Sequence, residues 1–165
     1  MERESPDKEL ESKTRIRFPD CDPFNHLNNS RYIDYMINAR EDQLIKHYNL
    51  DIYKMARETG VSWVVSQTQI AYLSSAELME IVTIQTKLVS YSDKNLLVEA
   101  IMWDENKTQM KALMWIKFAH FSLRTRKSLQ HSEELMQLFS DVKYPLKEVN
   151  FEDRVTTLKT EYLKK

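Results

Sequence analysis

The sequence predicts an α+β domain, a curved antiparallel sheet wrapped around one long helix. Three observations lead there. Apolar residues recur at helical spacing once, from about Ser30 to Tyr48. From Val61 onward the spacing changes to two and recurs in four long runs, most of them separated by short turn-forming stretches. The stretch just before the helix, Phe18 to Tyr32, holds two carboxylates, a thiol, an imidazole and three carboxamides. No other part of the chain concentrates so much chemistry.

At 165 residues, with 42% apolar and 30% charged residues, the chain is long enough for one domain with its own core. The net charge is -1, so no basic field points to nucleic acid. Gly60 is the only glycine. A P-loop, a G-x-G-x-x-G turn and a G-x-S-x-G elbow each need at least two, so none is present in standard form. Cys21 is the only cysteine, which excludes an internal disulfide and fits a reducing compartment. Residues 1–12 are polar and charged and do not read as a signal peptide. No run of about eighteen apolar residues marks a membrane span. A cytoplasmic location is the expectation.

In chain order, residues 1–13 read as a flexible lead-in. Thr14 to Phe18 alternates polar and apolar like a half-buried strand, and Pro19 and Pro23 end it. The loop runs to Asn28 or Asn29, and Asn28, Asn29 and Ser30 are all good helix caps. The helix carries Ile33, Ile37, Leu44 and Tyr48 on one stripe, with Tyr32, Met36 and Ala39 beside it, so it should be substantially buried. A short helix is expected over Ile52–Glu58, closed by Gly60. Strands follow at Val61–Tyr72, about Glu80–Ser90, Leu96–Trp103 and Gln109–Leu123. Ser92–Asn95 and Asp104–Lys107 supply turns between the last three, and such hairpins imply antiparallel pairing. A sheet of this kind has one apolar face, and the long helix covers it. Thr125–Leu129 turns out of the sheet into a short helix over Ser132–Phe139. The domain thus spans 14–145, and 146–165 is a charged extension without a clear period. Long unpaired strand edges invite dimerisation.

Asp20-Cys21-Asp22-Pro23, followed by His26-Leu27-Asn28-Asn29 and Tyr32, resembles the D-x-D-x-x-G-H-V-N-N-x-x-Y signature of the 4-hydroxybenzoyl-CoA thioesterase-like family. Plant acyl-ACP thioesterases carry a similar element. The resemblance covers residues 14–140 and implies the hot-dog fold. Three departures stand out. The family glycine before the histidine is Asn25, which tolerates a left-handed backbone better than most residues. Ser74-Ser75 replaces a proline after Tyr72, and Glu80 takes the acidic position beyond it.

The resemblance implies hydrolysis of an acyl-CoA thioester, with acyl-ACP as the close alternative and a non-catalytic acyl-CoA-binding module as the alternative of another class. It makes Asp22 the nucleophile or general base, and His26 a helper that orients water, binds the carboxylate or acts as base. A backbone N–H near Asn29, at the positive end of the helix, suits the developing oxyanion. Asn28 and Tyr32 fall to substrate binding, and the basic residues Arg124, Arg126 and Lys127 to the phosphates of coenzyme A. No separate cofactor is implied, because coenzyme A enters as part of the substrate. His47, His120 and His131 lack ligand spacing, so no metal site is expected. Cys21 lies between two acids that blunt a thiolate, which makes it structural. A homodimer or homotetramer is expected, with the acyl group along the central helix near a subunit interface.

Overall fold

The computed structural model describes residues 4–163. Its elements are β1 (Glu9–Arg15), α1 (Tyr32–Tyr48), α2 (Ile52–Thr59), β2 (Val61–Tyr72), β3 (Ile81–Tyr91), β4 (Asn95–Asp104), β5 (Met110–Ser122), β6 (Lys127–Ser128), α3 (Glu133–Val142) and α4 (Phe151–Tyr162). One antiparallel sheet has the order β1-β3-β4-β5-β2, with β6 pairing β5. Among the long strands, only β3-β4-β5 forms consecutive hairpins. After β2 the chain crosses to the far side, so β2 is left as an edge strand beside β5.

The first strand begins earlier than the alternation of Thr14–Phe18 suggests. Glu9 to Arg15 pairs with β3 from Glu9↔Lys87 to Arg15↔Ile81. Leu10 is buried, and Glu9 meets the Lys87 ammonium at 2.8 Å. One leucine among charges gives almost no periodic signal, yet a sheet edge tolerates such a strand because charged residues there face water. Of the flexible lead-in expected over 1–13, residues 1–3 lie outside the described residues and 9–13 are strand. Phe18, expected in the strand, starts a 3-10 turn and is exposed.

Helix α1 starts after a 3-10 turn at Asn29–Arg31 and ends at Asn49, which takes the left-handed conformation that closes helices (φ 52°). Its buried residues are Tyr32, Met36, Ala39 and Gln43, a stripe rotated from the expected one. Tyr32, Met36 and Ala39 pack on the inward residues Val82, Ile84, Ala100, Met102, Ala112, Met114 and Ile116. Gln43 is tolerated because its amide donates to Ser12 Oγ and the Ile84 carbonyl. Ile33 and Ile37 pack at the margin.

The other face of the sheet is apolar too, contrary to the expectation of a single apolar face. Ile101, Trp103, Leu113 and Trp115 point away from α1 and are covered by Phe151 and Leu158 of α4. The charged extension is thus a helix, capped by Asn150 Oδ1 accepting from the Asp153 N–H. Its Arg154 reaches through this layer to Glu99, with Nε and Nη2 each 2.8 Å from a carboxylate oxygen. Helix α3 closes the open end of the sheet with Phe139 and Val142 against Leu88 and Val98. Among the described residues, no helix is long and apolar enough to cross a membrane.

Candidate active site

The loop from Asp20 to Asn29 is held at both ends by its own acids. Asp20 is the clamp. Its carbonyl accepts the Asn28 N–H at 2.9 Å, and its Oδ2 accepts the Tyr35 hydroxyl at 2.6 Å. Burial and this carboxylate push the Tyr35 phenol up to about 12. Asp22 organises the turn. Its Oδ1 accepts the N–H groups of Phe24 (2.9 Å) and His26 (3.2 Å), and its own N–H donates to the His26 carbonyl (2.8 Å). Asn25 takes the family glycine's place at φ 62°, and its short side chain makes that conformation affordable. Asp22 is half-buried, and among the described residues its second oxygen meets no donor.

His26 lies beside Asp22 only through its backbone. Its Nε2 sits 3.3 Å from Glu77 Oε1. The loop is also stapled to the segment after β2 by Leu27 N–H to the Ala76 carbonyl and Leu78 N–H to the Asn25 carbonyl, each at 2.8 Å. Cys21 donates to the Arg17 carbonyl. Burial raises its thiol pKa, and Asp20, Asp22 and Glu77 raise it further, so it is a poor nucleophile.

Asn28 is a cap. Its Oδ1 accepts both the N–H and the hydroxyl of Ser30. The next amide, Asn29 N–H, meets no acceptor among the described residues, although Asn28 N–H and Ser30 N–H on either side are both engaged. The Asn29 carbonyl accepts the Tyr72 hydroxyl at 2.8 Å. Tyr32 is a core residue at 2% exposure; its hydroxyl accepts the Ala76 N–H, and its ring stands edge-on to Tyr72 at 5.2 Å. It fixes the helix start from within, with its hydroxyl buried against the Ala76 amide.

Asp22, His26, Asn28, Asn29 and Tyr32 are thus brought together, and Arg124, Arg126 and Lys127 are not. These three lie at the β5–β6 turn, beside the Val61 end of β2, where Val61 pairs with Ser122. The loop meets the Tyr72 end. At about 3.3 Å per residue the two ends of β2 are roughly 36 Å apart. Sequence reasoning passed over Tyr72, Tyr35 and Glu77. Only Tyr72 had a signal, as the tyrosine ending a strand; the other two are recruited by contacts distant in sequence. Among the described residues no group of three His, Cys, Asp or Glu could hold a metal.

An apolar cavity lies away from this loop. It starts at Met36, one turn beyond Tyr32, and runs between α1, the sheet and α3, walled by Leu44, Trp63, Val98, Phe118 and Phe139. The loop has the chemistry and the cavity has the apolar walls, as suits a substrate with a reactive head and an apolar tail.

A curled antiparallel sheet around one helix is the hot-dog architecture of thioesterases. The chain belongs to the thioesterase-like superfamily, whose family model matches residues 16–139, and it is a thioester hydrolase. A similar protein is the long-chain acyl-CoA thioesterase FadM of Escherichia coli, 27% identical over 128 residues that make up 78% of this chain and 95% of the relative. The crystal structure of Escherichia coli YbaW superposes with a TM-score of 0.69 at 25% identity, covering 82% of this chain and 99% of that one. A Staphylococcus aureus protein in complex with CoA shares the fold at a TM-score of 0.75 and 14% identity, covering 88% of this chain and 90% of that one.

Proposed function

We propose that the chain is an acyl-CoA thioesterase in which Asp22 drives hydrolysis and the Asn29 N–H stabilises the oxyanion. The observation that carries this is the pairing of two unspent groups: an Asp22 oxygen without a donor and, at the helix start, an amide without an acceptor. Asp22 Oδ2 takes a proton from the attacking water, or attacks the thioester carbonyl itself. The carbonyl oxygen gains negative charge facing the Asn29 N–H, and the C–S bond breaks as the tetrahedral intermediate collapses. In the first route the proton held by Asp22 passes to the leaving sulfur; in the second a water cleaves the Asp22 acyl anhydride, releasing the acid and supplying the sulfur's proton. One such preorganised donor is typically worth about 3–4 kcal/mol of barrier. The His26–Glu77 pair flanks the site as a proton-handling helper. FadM, named for long-chain acyl-CoA hydrolysis, and the relative held with CoA support coenzyme A as the carrier. An acyl-ACP substrate and a purely binding role are the rival readings.

The distant basic turn favours a dimer. Two copies paired antiparallel along the exposed β2 edge set the Val61 end of one beside the Tyr72 end of the other. Arg124, Arg126 and Lys127 of one subunit would then serve the loop of its partner and meet the phosphates of coenzyme A.

The test is thiol release from a panel of acyl-CoAs, with Asp22→Asn alongside. Asn keeps the Oδ1 that accepts from Phe24 and His26, so the turn should persist while turnover falls at least 100-fold. Full activity in Asp22→Asn, or no cleavage by the wild type, rejects the assignment. Cleavage of acyl-ACP but not acyl-CoA favours the first rival.

A further inference from the structure

The apolar cavity is lined by one charged group that the fold does not explain. Arg40, two turns beyond Tyr32 on α1, lines its wall. One of its N–H donors is used, from Nη1 to Thr86 Oγ1 at 2.9 Å. Among the described residues, no carboxylate pairs with it. The other polar groups at this wall are committed elsewhere. Glu41 accepts the Tyr53 hydroxyl, and Tyr48 donates to the Asp7 carbonyl. The tie to Thr86 is not a sufficient reason for an arginine, because Gln43 already accepts from the same hydroxyl and holds the Ile84 carbonyl. Arg40 keeps some accessible surface as a residue, yet burial of its guanidinium lowers the pKa to about 10, which leaves it charged at neutral pH. Among the described residues no buried side-chain nitrogen lacks a partner, so the unpaired Arg40 nitrogens keep accessible surface and stand open at the cavity wall to an anionic ligand.

We propose that Arg40 receives a carboxylate at the far end of the acyl group, so that the preferred substrates are thioesters of medium-length dicarboxylic acids. This rests on the thioesterase reading above. A guanidinium presents a planar fork that matches a carboxylate, and the apolar walls around it take the methylenes between the two ends. The reach agrees. At 1.5 Å per residue, Arg40 lies about 12 Å along α1 from Tyr32, a span covered by a chain of roughly ten carbons. The cavity volume of about 80 Å³ takes the end of a slender chain.

The experiment compares kcat/KM for decanoyl-CoA and for the mono-CoA thioester of decanedioic acid. The wild type should favour the second at least tenfold. Arg40→Gln, which can still donate to Thr86, should abolish that preference, and Arg40→Lys should restore part of it. Calorimetry with the non-hydrolysable thioether analogues reads the same preference as binding, without turnover. If the wild type cleaves neither thioester, the proposed function fails and the binding preference alone decides Arg40. Equal binding of the two analogues, or a preference that survives in folded Arg40→Gln, overturns the proposal. Arg40-dependent competition by free decanoate, with no preference between the thioesters, also overturns it and gives the cavity to a product or effector acid.

Discussion

Asn25 stands in the loop where related thioesterases carry a glycine, and its backbone shows why the exchange is tolerated. At φ 62° a β-branched side chain would clash with its own peptide, whereas Asn adopts the left-handed region at modest cost. Asn25→Gly should therefore match or exceed wild-type stability by up to about 1 kcal/mol, and Asn25→Val should lose about 1–2 kcal/mol, both read from urea denaturation. Because Asn25 N–H and C=O both anchor the turn, bonding the Asp22 carbonyl and the Leu78 amide, the Val variant should also lower turnover. This position was legible in the sequence as a departure that could hold the turn. The partner of His26 was not. Glu77 is fifty-one residues further on in numbering, in a segment with no periodicity, and only the stapling of that segment onto the loop brings the two side chains together.

At the scale of elements, two helices added to the sheet differ in what holds them. Helix α3 rests on an aromatic group in which Trp63 Nε1 donates to His131 Nε2 at 2.9 Å. His131 must then carry its proton on Nδ1, facing the Ser92 carbonyl. Protonating Nε2 would set two donors against each other. Burial, then neighbouring His120, lowers the His131 pKa against the opposing bond to Ser92. A histidine with a lowered folded-state pKa contributes stability that is present above its ordinary value of 6.5 and is lost as pH falls through the lowered one. The melting temperature should therefore drop between pH 7 and pH 5, and His131→Gln should flatten that slope. A wild-type profile that is level over this window would refute the tautomer assignment. Helix α4 depends on the pair between Arg154 and fully buried Glu99, which also accepts from Trp115 Nε1 at 2.8 Å. Arg154→Ala leaves that carboxylate short of its main counter-charge and should cost about 3–5 kcal/mol. Adding Glu99→Gln should recover much of the loss, because the amide still accepts from Trp115 without a charge to solvate. Guanidinium denaturation of the single and double variants measures both.

For the whole molecule, the two faces and the edge of the sheet have different fates. The outer face is covered by α4 of the same chain, so a second copy does not meet its tryptophans directly. The β2 edge keeps Val64, Val65 and Tyr72 exposed, whereas the β1 edge is charged, so β2 is the apolar edge open to pairing. Light scattering should therefore report two copies at micromolar concentration. A stable monomer would remove the arrangement that brings the basic turn to the loop, and a tetramer would need a second surface besides the β2 edge.

The sequence by itself determined the class of fold, the long helix, the four long strands and the loop that carries the chemistry. These follow from local signals, namely the period of apolar residues, proline and asparagine at chain turns, and a motif held within thirteen positions. Tertiary structure alone decided three other things. It set β1 on a charged edge, turned α1 so that Met36 and Gln43 rather than Ile33 and Ile37 face the sheet, and made the tail a helix over the outer tryptophans. Each depends on which surfaces meet. Packing against a distant strand supplies free energy that no local period records, and a buried charge such as Glu99 is explained only by what the folded chain places against it.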